Sequence, residues 1–96
     1  MNMTLSSEKG VVTLEEKHLI AVLLFVAIRG ECKKIEVYEN VSSNPRIPEK
    51  LDRLEAMGLL VQKDIPGMRS ISIELTPKGR AVADHLNAVD EIIKSN

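Results

Sequence analysis

Three cations stand close together in the middle of the chain: Arg46, Lys50 and Arg53. Ile47, Leu51 and Leu54 lie between and beside them. If residues 45–57 form a helix, those apolar side chains face inward and the three cations, with Glu49, face outward. Guanidinium and ammonium groups presented this way suit phosphate oxygens and the O6/N7 edge of guanine. Ser43 and Asn44 sit at the start of the same helix, where unpaired backbone N–H groups favour anions. Lys63 and Arg69 flank a later turn and could reach a neighbouring phosphate. Glu49, Asp52 and Glu55 interleave with the bases, so the residues by themselves fit a solvated charged face equally well.

The elements that must position these side chains can be read on either side of them. Leu51, Leu54 and Met57 continue the apolar face to Gly58, which suits a helix C′ position because glycine takes positive φ without a Cβ penalty. A strand-like run, Leu59 to Gln62, follows. Pro66-Gly67 supplies a turn, with proline at the second position and glycine at the third. Ile71, Ile73 and Leu75 then alternate with Ser70, Ser72 and Glu74, a strand pattern. Thr76 is a good N-cap and Pro77 fits N1 of the next helix.

This succession of helix, hairpin and helix resembles the winged helix-turn-helix. The pattern LxxLExxGLL over Leu51–Leu60, followed by LTPKGR over Leu75–Arg80, is similar to the MarR- and PadR-like transcriptional regulators. The resemblance covers roughly residues 35–80. It implies an α+β winged helix-turn-helix with a three-helix core, a two- to three-stranded wing and a C-terminal dimerisation helix. It also implies a homodimer on double-stranded DNA. The recognition helix of residues 45–57 would enter the major groove and the wing of residues 59–75 would lie on the backbone. Ser43, Asn44, Arg46, Lys50, Arg53, Lys63 and Arg69 are the expected DNA contacts. Winged helices also serve as protein-interaction modules, and that is the alternative reading. The chain departs from the usual motif, with Tyr38 where a small residue is preferred inside helix 2 and Ser42 where the turn prefers glycine.

The rest of the chain fits this frame. Residues 1–12 carry no helical period and are expected to form a loose arm, leaving 13–96 as one domain. Thr13-Leu14-Glu15-Glu16 fits a capping box opening helix 1, which runs to about Arg29 with Gly30 as its stop. From Leu19 to Ile28 that helix is apolar on every side, more than so small a domain can cover alone. Glu31 to Lys34 is expected to form a short strand with Cys32 turned inward. Ile35, Tyr38 and Val41, with Val37 as a further candidate, form the inner face of helix 2. In the last helix Val82, Leu86, Val89 and Ile93 recur as an a/d seam. Leu19 and Leu23 of helix 1 join these four as the expected dimer interface.

Composition bounds the function further. The 96 residues include 44% hydrophobic but only 2% aromatic side chains, so the core is aliphatic. Net charge is −1, yet residues 33–80 hold nine of the 13 basic residues against seven of the 14 acidic ones. That is a mild basic bias in the middle of the chain. A single cysteine, Cys32, forbids an intrachain disulfide. With no signal-peptide pattern and no apolar run long enough to span a bilayer, a cytoplasmic setting is expected. No glycine-rich phosphate loop, HExxH, CxxC or GxSxG is present, so no catalytic role is expected. His18 and His85 lie on different expected helices, and with one thiol they are too few to assert a metal site. No cofactor is expected.

Overall fold

The computed structural model describes residues 10–95. After a 3-10 turn at Val11–Glu15 the chain forms α1 (Leu19–Arg29), β1 (Glu31–Lys33), α2 (Lys34–Asn40) and α3 (Ile47–Ala56). It then forms β2 (Leu60–Asp64), β3 (Ile71–Leu75) and α4 (Pro77–Lys94). The sheet has the order β1-β3-β2, antiparallel throughout. Cys32 opposes Ile73 on one side of the central strand, and Gln62 opposes Ile73 on the other. This is an α+β winged helix-turn-helix, with β2 and β3 as the wing and β1 closing the sheet.

The α3-to-wing junction is built from local chemistry. Gly58 has φ +78° and ends α3 in a Schellman arrangement. Its N–H donates to Glu55 O at 2.9 Å, and the Leu59 N–H donates to Leu54 O at 3.0 Å. Gly67, at φ +76°, is the third residue of the wing turn, which the Met68 N–H closes on Ile65 O at 3.0 Å. Thr76 caps α4: its Oγ1 accepts from the Gly79 N–H at 2.9 Å and donates to Gly58 O at 2.6 Å. One hydroxyl thus ties the end of α3 to the start of α4.

The core is aliphatic. Leu19, Leu23 and Val26 of α1 meet Leu51 and Leu54 of α3, Leu60 of β2 and Ile73 of β3. Phe25 and Tyr38 lie half-buried at its edge.

Four expectations are corrected. Helix 1 does not begin at a Thr13–Glu16 capping box: Thr13 lies inside the 3-10 turn and α1 starts at Leu19. The break falls at His18, whose φ is +77° and whose Nε2 is buried with no hydrogen-bond partner among the described residues. Within helix 2 it is Val37 that is completely buried, while Ile35 is 52% exposed. α3 begins at Ile47, not Pro45, so Pro48 falls in the first turn where its missing N–H costs no helical bond. Finally, Leu19 and Leu23 have no exposed surface within this single chain: α1 spends them on its own core. Of the expected arm, residues 1–9 lie outside the described residues; Val11 and Val12 belong to the 3-10 turn.

Candidate nucleic-acid interface

The α2–α3 turn is held by its own side chains. Ser42 Oγ accepts from the Asn44 N–H at 3.1 Å, and Asn44 Oδ1 accepts from the Arg46 N–H at 2.8 Å. These Asx- and Ser-type turns set the angle at which α3 leaves. Ser43 is exposed on the turn; Asn44 is half-buried, its side-chain oxygen committed to the backbone. Arg46 is exposed at the N-cap of α3, with no carboxylate partner among the described residues.

Further along α3 the cations are not free. Glu16 reaches across from the segment before α1. Its Oε2 lies 2.9 Å from Lys50 Nζ and its Oε1 lies 2.9 Å from Arg53 Nη1. The Lys50 side chain is only 15% exposed, that of Arg53 54%. The hydrogen bond from Lys50 is the largest influence on the Glu16 carboxyl. Together with the Arg53 charge it holds the acid below the ordinary glutamate range against a smaller desolvation effect. On the opposite flank of α3, the Gln62 amide nitrogen donates to Asp52 and Glu55, each at 2.9 Å, joining α3 to β2.

On the wing, Lys63 pairs with Glu74 at 3.0 Å as diagonal neighbours of the β2–β3 register. Arg69 is exposed and has no carboxylate partner among the described residues. It borders a shallow pocket of about 200 Å³ that also takes in Lys33, Lys34, Tyr38 and Ser70. Lys33 and Lys34 were not among the expected contacts. Their signal was the Lys-Lys pair at a strand-to-helix junction, which topology brings beside the wing. Glu36 steadies the start of α2, accepting from the Lys33 N–H at 2.8 Å and pairing with Arg29. The backbone N–H is the leading reason its carboxyl is held low.

An apolar surface lies elsewhere on the molecule. Val82 and Leu86 of α4 are half-buried against the chain's own core, while Val89, Ile92 and Ile93 are exposed. Ile20 and Ile28 of α1 are exposed too, Ile28 at 84%. Arg80 Nη1 donates to Ala27 O at 3.4 Å, which sets the start of α4 beside the end of α1. Cys32 is buried, and burial with the nearby Glu36 raises its thiol above the ordinary cysteine value. The described residues hold no group of His, Cys, Asp and Glu suited to a metal ion. No helix among them is long and apolar enough to cross a membrane.

The fold and the α3–wing arrangement define a winged helix-turn-helix of the kind found in transcriptional regulators. No protein-family model matches the chain, and no curated protein matches it. Its structural neighbours are MarR-like and ZitR regulators. An apo mutant of Lactococcus lactis ZitR superposes with a TM-score of 0.73 at 18% identity over 85% of this chain. The chain spans 63% of that protein's length. A transcriptional regulator homologue from Pyrococcus horikoshii OT3 gives 0.72 at 16% identity, covering 88% of this chain and 91% of its own. An archaeal protein reported as a mechanosensitive channel, and described as a structural homologue of MarR-like transcriptional regulators, gives 0.71 at 20% identity. It covers 98% of this chain and 88% of its own. At these identities the likeness is one of fold.

Proposed function

We propose that this protein is a DNA-binding transcriptional regulator that acts as a homodimer. α3 enters the major groove and the β2–β3 wing lies along the backbone. The observation that carries the reading is the exposed, carboxylate-free Arg46 at the leading end of α3, with Arg69 likewise unpaired on the wing behind it. In helix-turn-helix docking the N-terminal residues of the second helix meet base edges, and cations on adjoining elements meet phosphates. Lys33 and Lys34 share a pocket with Arg69 and serve as backbone contacts. The exposed Val89, Ile92 and Ile93 of α4 form the seam with a second copy, joined by Ile20 and Ile28 of α1. A two-fold dimer presents two copies of α3 to half-sites about one helical turn, roughly 34 Å, apart.

Fluorescence anisotropy with duplexes from the protein's own genome tests this. The logarithm of the affinity should fall linearly with log salt, with a slope of about 0.9 per phosphate neutralised. Sedimentation should report a dimer at the same concentration. Background-level binding at low salt would refute the reading. A second reading, a protein-interaction module, draws on one observation: α3 and the turn beneath it carry Glu49, Asp52, Glu55 and Glu16 beside three cations. Nuclease-resistant recovery of a protein partner, with no DNA retained, would favour it.

A further inference from the structure

Glu16 lies outside the helix-turn-helix: its backbone N–H closes the 3-10 turn on Thr13 O at 3.3 Å, while its carboxylate reaches away from that turn to α3. It is not an N-cap, since α1 begins three residues later at Leu19 behind a positive-φ His18. Its turn is anchored instead by Leu14, buried at 6% exposure against the core. From that fixed base the carboxylate spans to α3, one oxygen on each of two cations. Lys50 is thereby folded down against the protein, which is why so little of its side chain is exposed.

We propose that Glu16 is a specificity-determining residue that occupies, on α3, the place of a DNA phosphate. This rests on the DNA-binding reading above. A carboxylate with one oxygen on Lys50 and one on Arg53 presents the same pair of anionic acceptors as a phosphodiester. While it is seated, the Lys50 ammonium is covered and the charge of Arg53 is offset at Nη1, so a phosphate gains the full attraction of both only by displacing it. The bridge is part-buried at Lys50 and more open at Arg53. The carboxylate's charge offsets part of the positive charge that Lys50 and Arg53 bring to α3. Non-specific affinity comes almost wholly from phosphate neutralisation. A built-in competitor for two of those contacts therefore weakens binding to every sequence. A site is then held only where base contacts, led by Arg46, make up the difference.

The test is anisotropy on a random-sequence 30-bp duplex, comparing wild type, Glu16→Gln and Glu16→Asp across salt. Glu16→Gln removes the charge; Glu16→Asp keeps it but shortens the reach by a methylene, so one cation is released. Glu16→Gln should bind the random duplex more tightly. Each regained phosphate steepens the salt slope by about 0.9, so two contacts multiply the affinity lost between 50 and 200 mM salt about twelvefold. Glu16→Asp should fall between the two. In a Lys50→Gln, Arg53→Gln background the Glu16 change should be silent. Affinity and slope unchanged or reduced in a Glu16→Gln protein with wild-type circular dichroism would overturn the proposal. So would failure of both Glu16 variants to fold, which would make the carboxylate a structural tie. The DNA-binding reading fails separately: wild type and Glu16→Gln would then both stay at background. If wild type binds and Arg46→Ala weakens it while Glu16→Gln binds no tighter, only the role of Glu16 falls.

Discussion

Gly79 is the residue whose replacement should cost the fold most for its size. It lies in the first turn of α4, is buried, and faces the backbone of Leu59 at the root of the wing. A Cβ built there would sit 1.8 Å from Leu59 O and 2.7 Å from its carbonyl carbon. Non-bonded heavy atoms settle at roughly 3.5 Å, so Gly79→Ala must push α4 away from the α3–β2 junction by more than an ångström. Backbone cannot yield as a flexible side chain would. The displacement strains two bonds: Thr76 N–H to Leu59 O at 3.1 Å and Thr76 Oγ1 to Gly58 O at 2.6 Å. At about 1 kcal/mol net each, with about 1–3 kcal/mol of overpacking, the loss is about 3–5 kcal/mol. Alanine's better helix propensity returns about 1 kcal/mol. The net cost is about 2–4 kcal/mol, which for a domain of this size lowers Tm by about 8–32 °C. Thermal melts by circular dichroism at one fixed protein concentration measure it, since any self-association makes Tm concentration-dependent. Gly67→Ala is the control: its φ is +76° but its Cβ meets nothing within 4 Å. It should cost only about 1–2 kcal/mol. A Gly79→Ala melt equal to or above wild type would refute the close approach of α4 to the wing root.

Three further outcomes are expected. Thr76→Val should lose about 1–2 kcal/mol in urea melts, because it removes both the cap to the Gly79 N–H and the tie to Gly58 O. Ile92→Glu with Ile93→Glu should shift the sedimentation coefficient to that of a monomer without unfolding the domain, because both side chains are exposed in the single chain, at 71% and 75%. Glu16 and Glu36 are both held below the ordinary glutamate value of 4.5, so each stabilises the fold in full above that pH. The contribution is lost as pH falls below 4.5 through the lowered values. Melts along an acid series should show Glu36→Gln flattening that limb, and an unchanged limb would refute the Lys33 and Arg29 contacts.

What could be read from the sequence was what nearest-neighbour chemistry decides. Gly58, Pro66-Gly67 and Thr76-Pro77 each need only a few residues around them to specify a stop, a turn and a start. The structure puts them there for those reasons. The start of α1 was misread because a Thr-x-x-Glu pattern says nothing of what lies across the fold. Glu16 had a pair of cations within reach, one of them 34 residues away, and no local rule registers them. Val37 displaced Ile35 from the core for a similar reason: a helix of seven residues carries too little periodicity to choose its face. α1 differed: with every side apolar, pattern could not say which stripe its own domain would cover, and Leu19 and Leu23, expected at a partner, are buried in the chain's own core. The Lys63–Glu74 pair became visible only once the β2–β3 register was known.

The candidate site has the same division between local and distant causes. The side chains named from sequence occupy α3 and the wing, but their charges are settled by residues elsewhere: Glu16 for Lys50 and Arg53, Glu74 for Lys63. Among the described residues, cations without a carboxylate salt bridge stand at the leading end of α3, Arg46, and around the pocket beside the wing, Arg69 and Lys34, with Lys33 near Glu36. On the proposed reading the duplex is therefore gripped first at these two ends, where fewer carboxylates compete for the cations. The middle of α3 engages last, once a favourable sequence makes exchange of Glu16 for a phosphate worthwhile. Such an order of contacts separates search from recognition. The flanking cations supply the salt-dependent, sequence-blind hold, and the masked pair on α3 adds to it only where the bases beneath Arg46 already fit.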